Sequence, residues 1–368
     1  MTVGVFTHAL YDSGAFALSL IPDEVRVYYP DLNVDKVVSE RMTHLPTFSN
    51  VTIEPVRIVM PKADPLLLIK KSFTENSLFK FEITKEMIKD LDTVITKELH
   101  TRFSYSLSSI TSKLGIKLIS LTEMDFNNFI PKIPPYSFFA NAVLKRTNLF
   151  GSSTPLSDLY LRGLGVNSFE RIFFSVVNTE DFIVTKVPED ERDVLFVGRL
   201  EKYKGFGTFI KALNLLSKKY EFKAHIVGDG SQRVLLNDAR FKFEHYPFIP
   251  KEDLKMLYEK CSLLVVPSES QFLLGKLYWS EVFSVATLEA MASGRPVVTS
   301  DSGNLPYINQ SSDAVFKQGD PEDLSKRISF FFDNLDIAVK TGLNNGKFVE
   351  SIFNSNVIRS KWKRMLSS

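Results

Sequence analysis

The chain has a single cysteine, Cys261, in 368 residues, and only two tryptophans. One thiol excludes a disulfide framework and any cysteine-built metal site, and it is the usage of a reducing compartment. Net charge is also scarce: 45 Lys and Arg against 43 Asp and Glu leave +2, with a pI near 8.3. So small an excess gives no electrostatic footprint for nucleic acid. Long apolar runs are missing, and nothing approaches the roughly 18 residues of a spanning helix. The N-terminal residues MTVGVFTHALYDSGAF carry neither a basic region nor a small-residue cleavage site, so no signal peptide is expected. The expected location is cytoplasmic. Residues 66–69 (Leu-Leu-Leu-Ile), followed by Lys70 and Lys71, suit either a buried helix end or a weak peripheral contact at the inner membrane face.

What is abundant is apolar and aromatic. Hydrophobic residues make up 44%, and 31 are phenylalanine. Such a chain can bury large cores and is not disordered. The length implies about two domains. The second half alternates short apolar runs with helical periodicity. Strands are expected at 194–197, 224–227, 263–266 and 297–299. Helices are expected at 207–219, after the turn 228–230, at 252–260 and at 284–293. The first half repeats this less cleanly, with strands at 3–7, 25–29, 56–60, 93–96, 117–121 and 172–175. Its helices are expected at 14–20, 84–90, 103–114, 135–145 and 155–163. The charged stretch 186–193 reads as a linker. Alternation at this pitch means parallel sheets covered on both faces, so two Rossmann-like, doubly wound α/β domains are expected. They would face each other across a cleft, with ligand at the carboxyl ends of the strands.

Two constellations carry chemistry. In the first, Gly198-Arg199-Leu200-Glu201-Lys202-Tyr203-Lys204-Gly205 follows a buried strand. Arg199 and Lys204 at a strand end suit a diphosphate, the first as a fork and the second as a point charge; an ordinary solvated loop would look the same. In the second, Glu281 precedes a helix and Glu289 lies within it. The amides of Ser284, Val285 and Ala286 open that helix, a natural anion site. Glu289 sits among apolar neighbours, so it is either paired or functional.

Together the constellations resemble the retaining glycosyltransferases of family 4, which have the GT-B fold. That family carries G-R-L-x-x-x-K-G, V-G-D-G and E-x7-E running into E-A-x-A-x-G-x-P-V-V. Here these stand at 198–205, 227–230 and 281–298, in that order. The similarity also takes in 254–268, which looks like the family's helix and strand before E-x7-E, and extends more loosely to 91–121 and 178–182. The resemblance implies a metal-independent hexosyltransferase. It would move sugar from a nucleotide-diphosphate sugar, used as a co-substrate and not a cofactor, to a hydroxyl on a glycan, lipid-linked sugar or small molecule. It implies that Arg199 and Lys204 hold the diphosphate and that Glu289 binds ribose. Glu281 would contact the donor sugar, with the amides at 284–286 and Gly198 and Gly228 shaping the phosphate site. Gly14 would line a loop against the phosphates, and the backbone near Ile249 would meet the base. Residues 1–187, with a C-terminal helix at 351–368 returning to them, would take the acceptor, and 188–350 the donor. Charge splits in that sense, −2 over 1–190 and +4 over the remainder.

The chain departs from the family in several places. Thr122-Glu123 stands where a histidine is expected, so Glu123 either substitutes for it or binds an acceptor hydroxyl. A long stretch at 269–280, with Lys276, Tyr278 and Trp279, is either a sugar or acceptor wall or a surface insertion. Phe272 and Phe283 are candidates for the same wall. His100 lies near a strand end and is a second candidate for acceptor contact, whereas His225 reads as a buried, satisfied histidine. Asp90-Leu91-Asp92 precedes its strand and reads as helix-end charge, not a metal motif. The five histidines lack metal-ligand spacing, and no dinucleotide or Walker motif is present. A non-catalytic nucleotide-sugar binder and a sugar-nucleotide epimerase are the alternatives left open by these departures.

Overall fold

The computed structural model describes residues 1–7, 12–30, 48–59, 80–173, 176–188, 192–282, 284–309 and 311–368. The chain divides into two compact units, Met1–Val176 with Ser355–Ser368, and Val177–Asn354. The stretch expected to be a linker lies inside the second unit and is partly interior. Val187 is 3% exposed in that unit's core, and Asp193 accepts from buried His225 at 2.9 Å. Residues 66–71 and Phe283 lie outside the described residues.

The first unit is built on β1 (Thr2–Phe6), β2 (Glu24–Pro30), β3 (Val51–Val56), the short antiparallel pair β4 (Ile58–Val59) and β5 (Lys80–Phe81), β6 (Thr93–Lys97), β7 (Lys117–Thr122), β8 (Leu149–Ser152) and β9 (Glu170–Arg171). Its main sheet runs β3-β2-β1-β6-β7-β8-β9, and every neighbouring pair is parallel. The helices are α1 (Asp12–Ser19), α2 (Lys85–Ile88), α3 (Arg102–Leu114), α4 (Tyr136–Leu144) and α5 (Pro155–Gly163). Thr101 starts α3 by accepting from the Ser104 amide, and Thr154 caps α5 just before Pro155. Phenylalanine fills the core: Phe6 stacks on Tyr28 at 4.4 Å and meets Phe81 edge-on, and Phe81 meets Phe103. The last strand lies at 170–171, upstream of the expected 172–175, and residues 174–175 lie outside the described residues.

The second unit contains β10 (Val194–Val197), β11 (Lys223–Val227), β12 (Lys242–Tyr246), β13 (Leu263–Val266), the hairpin β14 (Gln271–Leu273) and β15 (Lys276–Trp279), β16 (Val297–Ser300) and β17 (Val315–Phe316). The order β12-β11-β10-β13-β16-β17 is again all parallel. Its helices are α6 (Phe206–Leu216), α7 (Lys251–Lys260), α8 (Val285–Ala292), α9 (Leu305–Ile308), α10 (Pro321–Asp333) and α11 (Leu335–Phe353). The helix expected after the 228–230 turn is a 3₁₀ stretch, Arg233–Asp238. The expected C-terminal helix is interrupted at Asn354. Beyond that break, α12 (Ser355–Ser367) belongs to the first unit, where Lys117 Nζ donates to the Leu366 carbonyl at 3.1 Å.

Both sheets reverse direction of winding at an inner pair, β1/β6 in the first unit and β10/β13 in the second. In open α/β sheets such reversals leave a crevice at the carboxyl ends of the strands. The glycines at the second reversal are forced. Gly205 has φ 68, and a Cβ there would lie 1.7 Å from the Pro267 carbonyl oxygen; at Gly228, with φ 128, it would lie 2.0 Å from the Gly198 oxygen. The loops after β10, β11 and β13 therefore pack backbone against backbone.

Candidate active site

The site grows from the β10/β13 reversal. Beyond β10 the chain places Arg199, exposed, and Lys204, about a quarter exposed, beside one aromatic ring. Arg199 lies 5.1 Å and Lys204 5.8 Å from the Tyr203 centroid. Beyond β13 the chain places Ser268, and after the hairpin Glu281, 5% exposed. Lys204 Nζ donates to Glu281 Oε2 at 2.5 Å, and Ser268 Oγ donates to the same oxygen at 2.6 Å. The pair anchors the lysine beside the strand ends while its ammonium retains further donors.

The stretch 269–280 is a β-hairpin rather than an irregular loop. Trp279 at its root is buried, not displayed as a wall. It meets Tyr203 edge-on at 4.8 Å, and Lys204 Nζ lies 5.6 Å from its ring. Lys276 is exposed beside the turn, and Phe272 and Leu274 are 59% and 94% exposed. The tryptophan thus belongs to the site as packing under the cation, and Lys276 stands apart from it.

The amides of Ser284, Val285 and Ala286 open α8, whose N-cap Ser284 accepts from the Thr287 amide. One and a half turns on, Glu289 is half-buried and accepts from the Tyr258 hydroxyl at 2.8 Å. Tyr258 is fully buried, and burial, reinforced by the Glu289 charge, raises its pKa well above the ordinary tyrosine range. Behind it Arg295, 1% exposed, donates through Nε to the Tyr258 carbonyl at 2.7 Å. Burial lowers that guanidinium to about 10. Gly198 directly follows β10 and Gly228 directly follows β11. Ile249 lines a cavity of about 730 Å³ with Tyr246, Phe248, Met256 and Leu257. Arg199, Lys204, Glu281 and the α8 N-terminus thus share one strand-end region of the second unit.

The remaining expected residues belong to the first unit. Gly14 falls in the first turn of α1 and not in the preceding loop. Glu123, after β7, pairs with Lys97 at 2.6 Å, and its amide donates to Glu98 Oε1 at 2.8 Å. His100 is 4% exposed, so the open position considered for it is not adopted. Burial lowers its pKa to about 4, and its Nδ1 has no hydrogen-bond partner among the described residues. Asp92 Oδ2 accepts from the Thr2 amide at 2.7 Å, a structural role, and His225 is buried as expected and paired through Nε2 with Asp193, while its Nδ1 makes no hydrogen bond among the described residues. Sequence reasoning missed Tyr203, Tyr258, Ser268 and Glu98. Tyr203 lies within the cationic segment already singled out, and Glu98 stands two residues before His100. Tyr258 and Ser268 lie in the segment 254–268, whose resemblance to the family's helix and strand gives neither of them a role.

Residues 177–345 match the family model of the glycosyl transferases group 1. An uncharacterized glycosyltransferase of Methanocaldococcus jannaschii is 36% identical over 128 residues, covering 33% of this chain and 30% of its own. A D-inositol 3-phosphate glycosyltransferase of Corynebacterium kroppenstedtii is 26% identical over 174 residues, 43% of this chain and 36% of its own. The matches span about a third of the length of these relatives. Two solved structures share the fold. A glycosyltransferase from Rickettsia africae has TM-score 0.72 at 16% identity, covering 100% of this chain and 99% of that one. Anabaena Alr3699/HepE in complex with UDP-glucose has TM-score 0.71 at 15% identity, covering 100% and 99%. The two all-parallel units therefore share the GT-B fold of these glycosyltransferase structures, and residues 177–345, which build the site, are similar to the glycosyl transferases group 1.

Proposed function

We propose that the chain transfers a hexose from a nucleotide-diphosphate sugar to a hydroxyl acceptor, with retention at the anomeric carbon and no metal. The observation that carries this reading is the Lys204–Glu281 pair beside Arg199 at the β10/β13 reversal. Breaking the bond between the anomeric carbon and the phosphate oxygen leaves negative charge on the departing diphosphate. Arg199, Lys204 and the amides at 284–286 are placed before the reaction to receive that charge, which is the role a metal fills elsewhere. Glu281 holds Lys204 in position and meets the sugar. Glu289, one oxygen of which is fixed by Tyr258, binds the ribose hydroxyls, and the base lies by Ile249. The acceptor is taken by the first unit.

Fold relatives solved with UDP and with UDP-glucose make UDP-glucose the first donor to test. A thermal-shift panel of UDP-, GDP- and ADP-sugars should single out one nucleotide class, since a ligand at 100 times its Kd adds about 2.7 kcal/mol. The stabilising donor should then slowly release free sugar in the absence of acceptor, at the same rate with and without EDTA. Stabilisation without release would make the chain a binder, formation of a new nucleotide sugar would make it an epimerase, and neither effect would refute the reading.

A further inference from the structure

The hairpin β14–β15 has a fixed root and a bare apex. At the root Trp279 is buried against Tyr203, the Ser270 amide donates to Gln318 Oε1 at 2.6 Å, and the Ser270 and Ser302 hydroxyls hydrogen-bond at 2.9 Å. At the other end Leu273 pairs with Lys276, which leaves Leu274 and Gly275 as a two-residue turn. No large apolar side chain among the described residues is more exposed than Leu274, at 94%. Phe272 and Lys276 beside it are exposed too.

The apex conformation is also costly. Leu274 has φ 50 and Gly275 φ 75, the two left-handed residues that a type I′ turn demands. Asparagine, aspartate and glycine meet that demand at little cost, and leucine does not. A strained residue persists where its surroundings over-determine it, yet Leu274 has almost no surroundings. Neither turn geometry nor the core accounts for a leucine here, so its reason lies outside the chain. Size and charge say what meets it. Leu274 and Phe272 together can bury on the order of 300 Å², whereas a standard protein interface takes about 800 Å² from each partner. So small a projecting point suits a medium that closes around it. From Ser270 to Ser280 the only charged residue is Lys276. An apolar tip with one lysine beside it and no acid matches a bilayer surface, where acyl chains take the leucine and phenylalanine and anionic headgroups take the ammonium.

We propose that the β14–β15 apex is an interfacial anchor, inserting Leu274 and Phe272 into a bilayer that carries anionic lipid, with Lys276 at the headgroups. The anchoring does not depend on the transferase reading above. Its consequence for substrate does rest on that reading. The strands are three and four residues long, so about 10–13 Å separate the apex from the root beside Lys204, and the acceptor is one held at a membrane surface.

The test sediments the full chain with sucrose-loaded vesicles of phosphatidylcholine, alone or mixed with an equal part of phosphatidylglycerol. Saturable binding is expected, tighter to the mixed vesicles. Leu274→Asn combined with Phe272→Ser should raise the apparent Kd at least about tenfold, and Lys276→Glu should abolish the preference for phosphatidylglycerol. Leu274→Asn alone should melt about 2–4 °C above the wild type, because it relieves the left-handed leucine; a leucine kept for stability would give a lower melting point and overturn the argument. Leu274→Trp should show blue-shifted emission, quenched by brominated lipid, when vesicles are added. All variants should keep the wild-type thermal shift with UDP-glucose. No vesicle binding by the wild type, unchanged binding by the double variant, or a dimer in sedimentation velocity that the double variant dissolves overturns the anchor. If UDP-glucose stabilises no form of the protein while vesicle binding still follows the apex, the donor reading falls and the anchor stands.

Discussion

Glu98 and His100 lie two residues apart and are shifted by burial in opposite directions, Glu98 from 4.5 up to about 7 and His100 from 6.5 down to about 4. As pH rises from 4.5 to 7 the unfolded chain releases the Glu98 proton that the folded chain keeps, so stability falls, by about 3 kcal/mol. As pH falls from 6.5 to 4 the unfolded chain binds a proton that folded His100 refuses, so stability again falls, by a similar amount of about 3 kcal/mol. Between about pH 4.5 and 6.5 the two slopes cancel. Urea unfolding should therefore find Glu98→Gln losing stability on acidification through that window. His100→Gln should lose it on alkalinisation, and the wild type should stay flat relative to both. In the second unit, Arg199→Ala should lower turnover about 10²–10³-fold with an unchanged melting point, because Arg199 is exposed. Lys204→Ala should lower turnover as far and the melting point too, because it strands the buried Glu281 carboxylate. Equal turnover in both variants and the wild type would remove the diphosphate role.

The hairpin β14–β15 is the element that most alters the expected site. Its tip is exposed, while its root, Trp279, packs on Tyr203 beneath Lys204. Shortening the tip at 273–276 should leave donor turnover intact. Trp279→Ala should cost about 3–5 kcal/mol of stability and raise the donor KM by freeing Lys204, and Trp279→Phe should restore most of both. Calorimetry and donor-hydrolysis kinetics on the three variants separate these outcomes. The hairpin was illegible because its turn residues are Leu274 and Gly275, not an Asn-Gly pair, and its strands are three and four residues long. Edge strand β12, Lys-Phe-Glu-His-Tyr, was missed for another reason: neither face is fully buried, and His245 beside Phe243 leaves no apolar face to read. Inner strands such as 194–197 and 263–266 were plain because both faces are buried. In the site, Arg199, Lys204, Glu281 and Glu289 were legible through spacing. Tyr258 and Ser268 were not, because they reach Glu289 and Glu281 only through tertiary contact.

At the scale of the molecule, the second unit is one uninterrupted segment, Val177–Asn354, whereas the first is assembled from two. A fragment spanning 177–354 should fold alone and keep the nucleotide-sugar thermal shift of the full chain; a fragment that binds no donor would mean that the site needs more than its own unit. Deleting 355–368 should instead lower the melting of the first unit. Trp362, Met365 and Leu366 leave its core with that segment, and the Lys117–Leu366 hydrogen bond is lost. No helix among the described residues is long and apolar enough to cross a membrane. The nested order has a consequence for biogenesis. Synthesis runs from residue 1 onward, so the first unit emerges early but waits for α12, made only after all of Val177–Asn354. The donor unit is thus free to complete its fold while its elder neighbour is still unfinished, and a chain stalled near residue 354 would carry a finished second unit on an open first core, a natural substrate for chaperones.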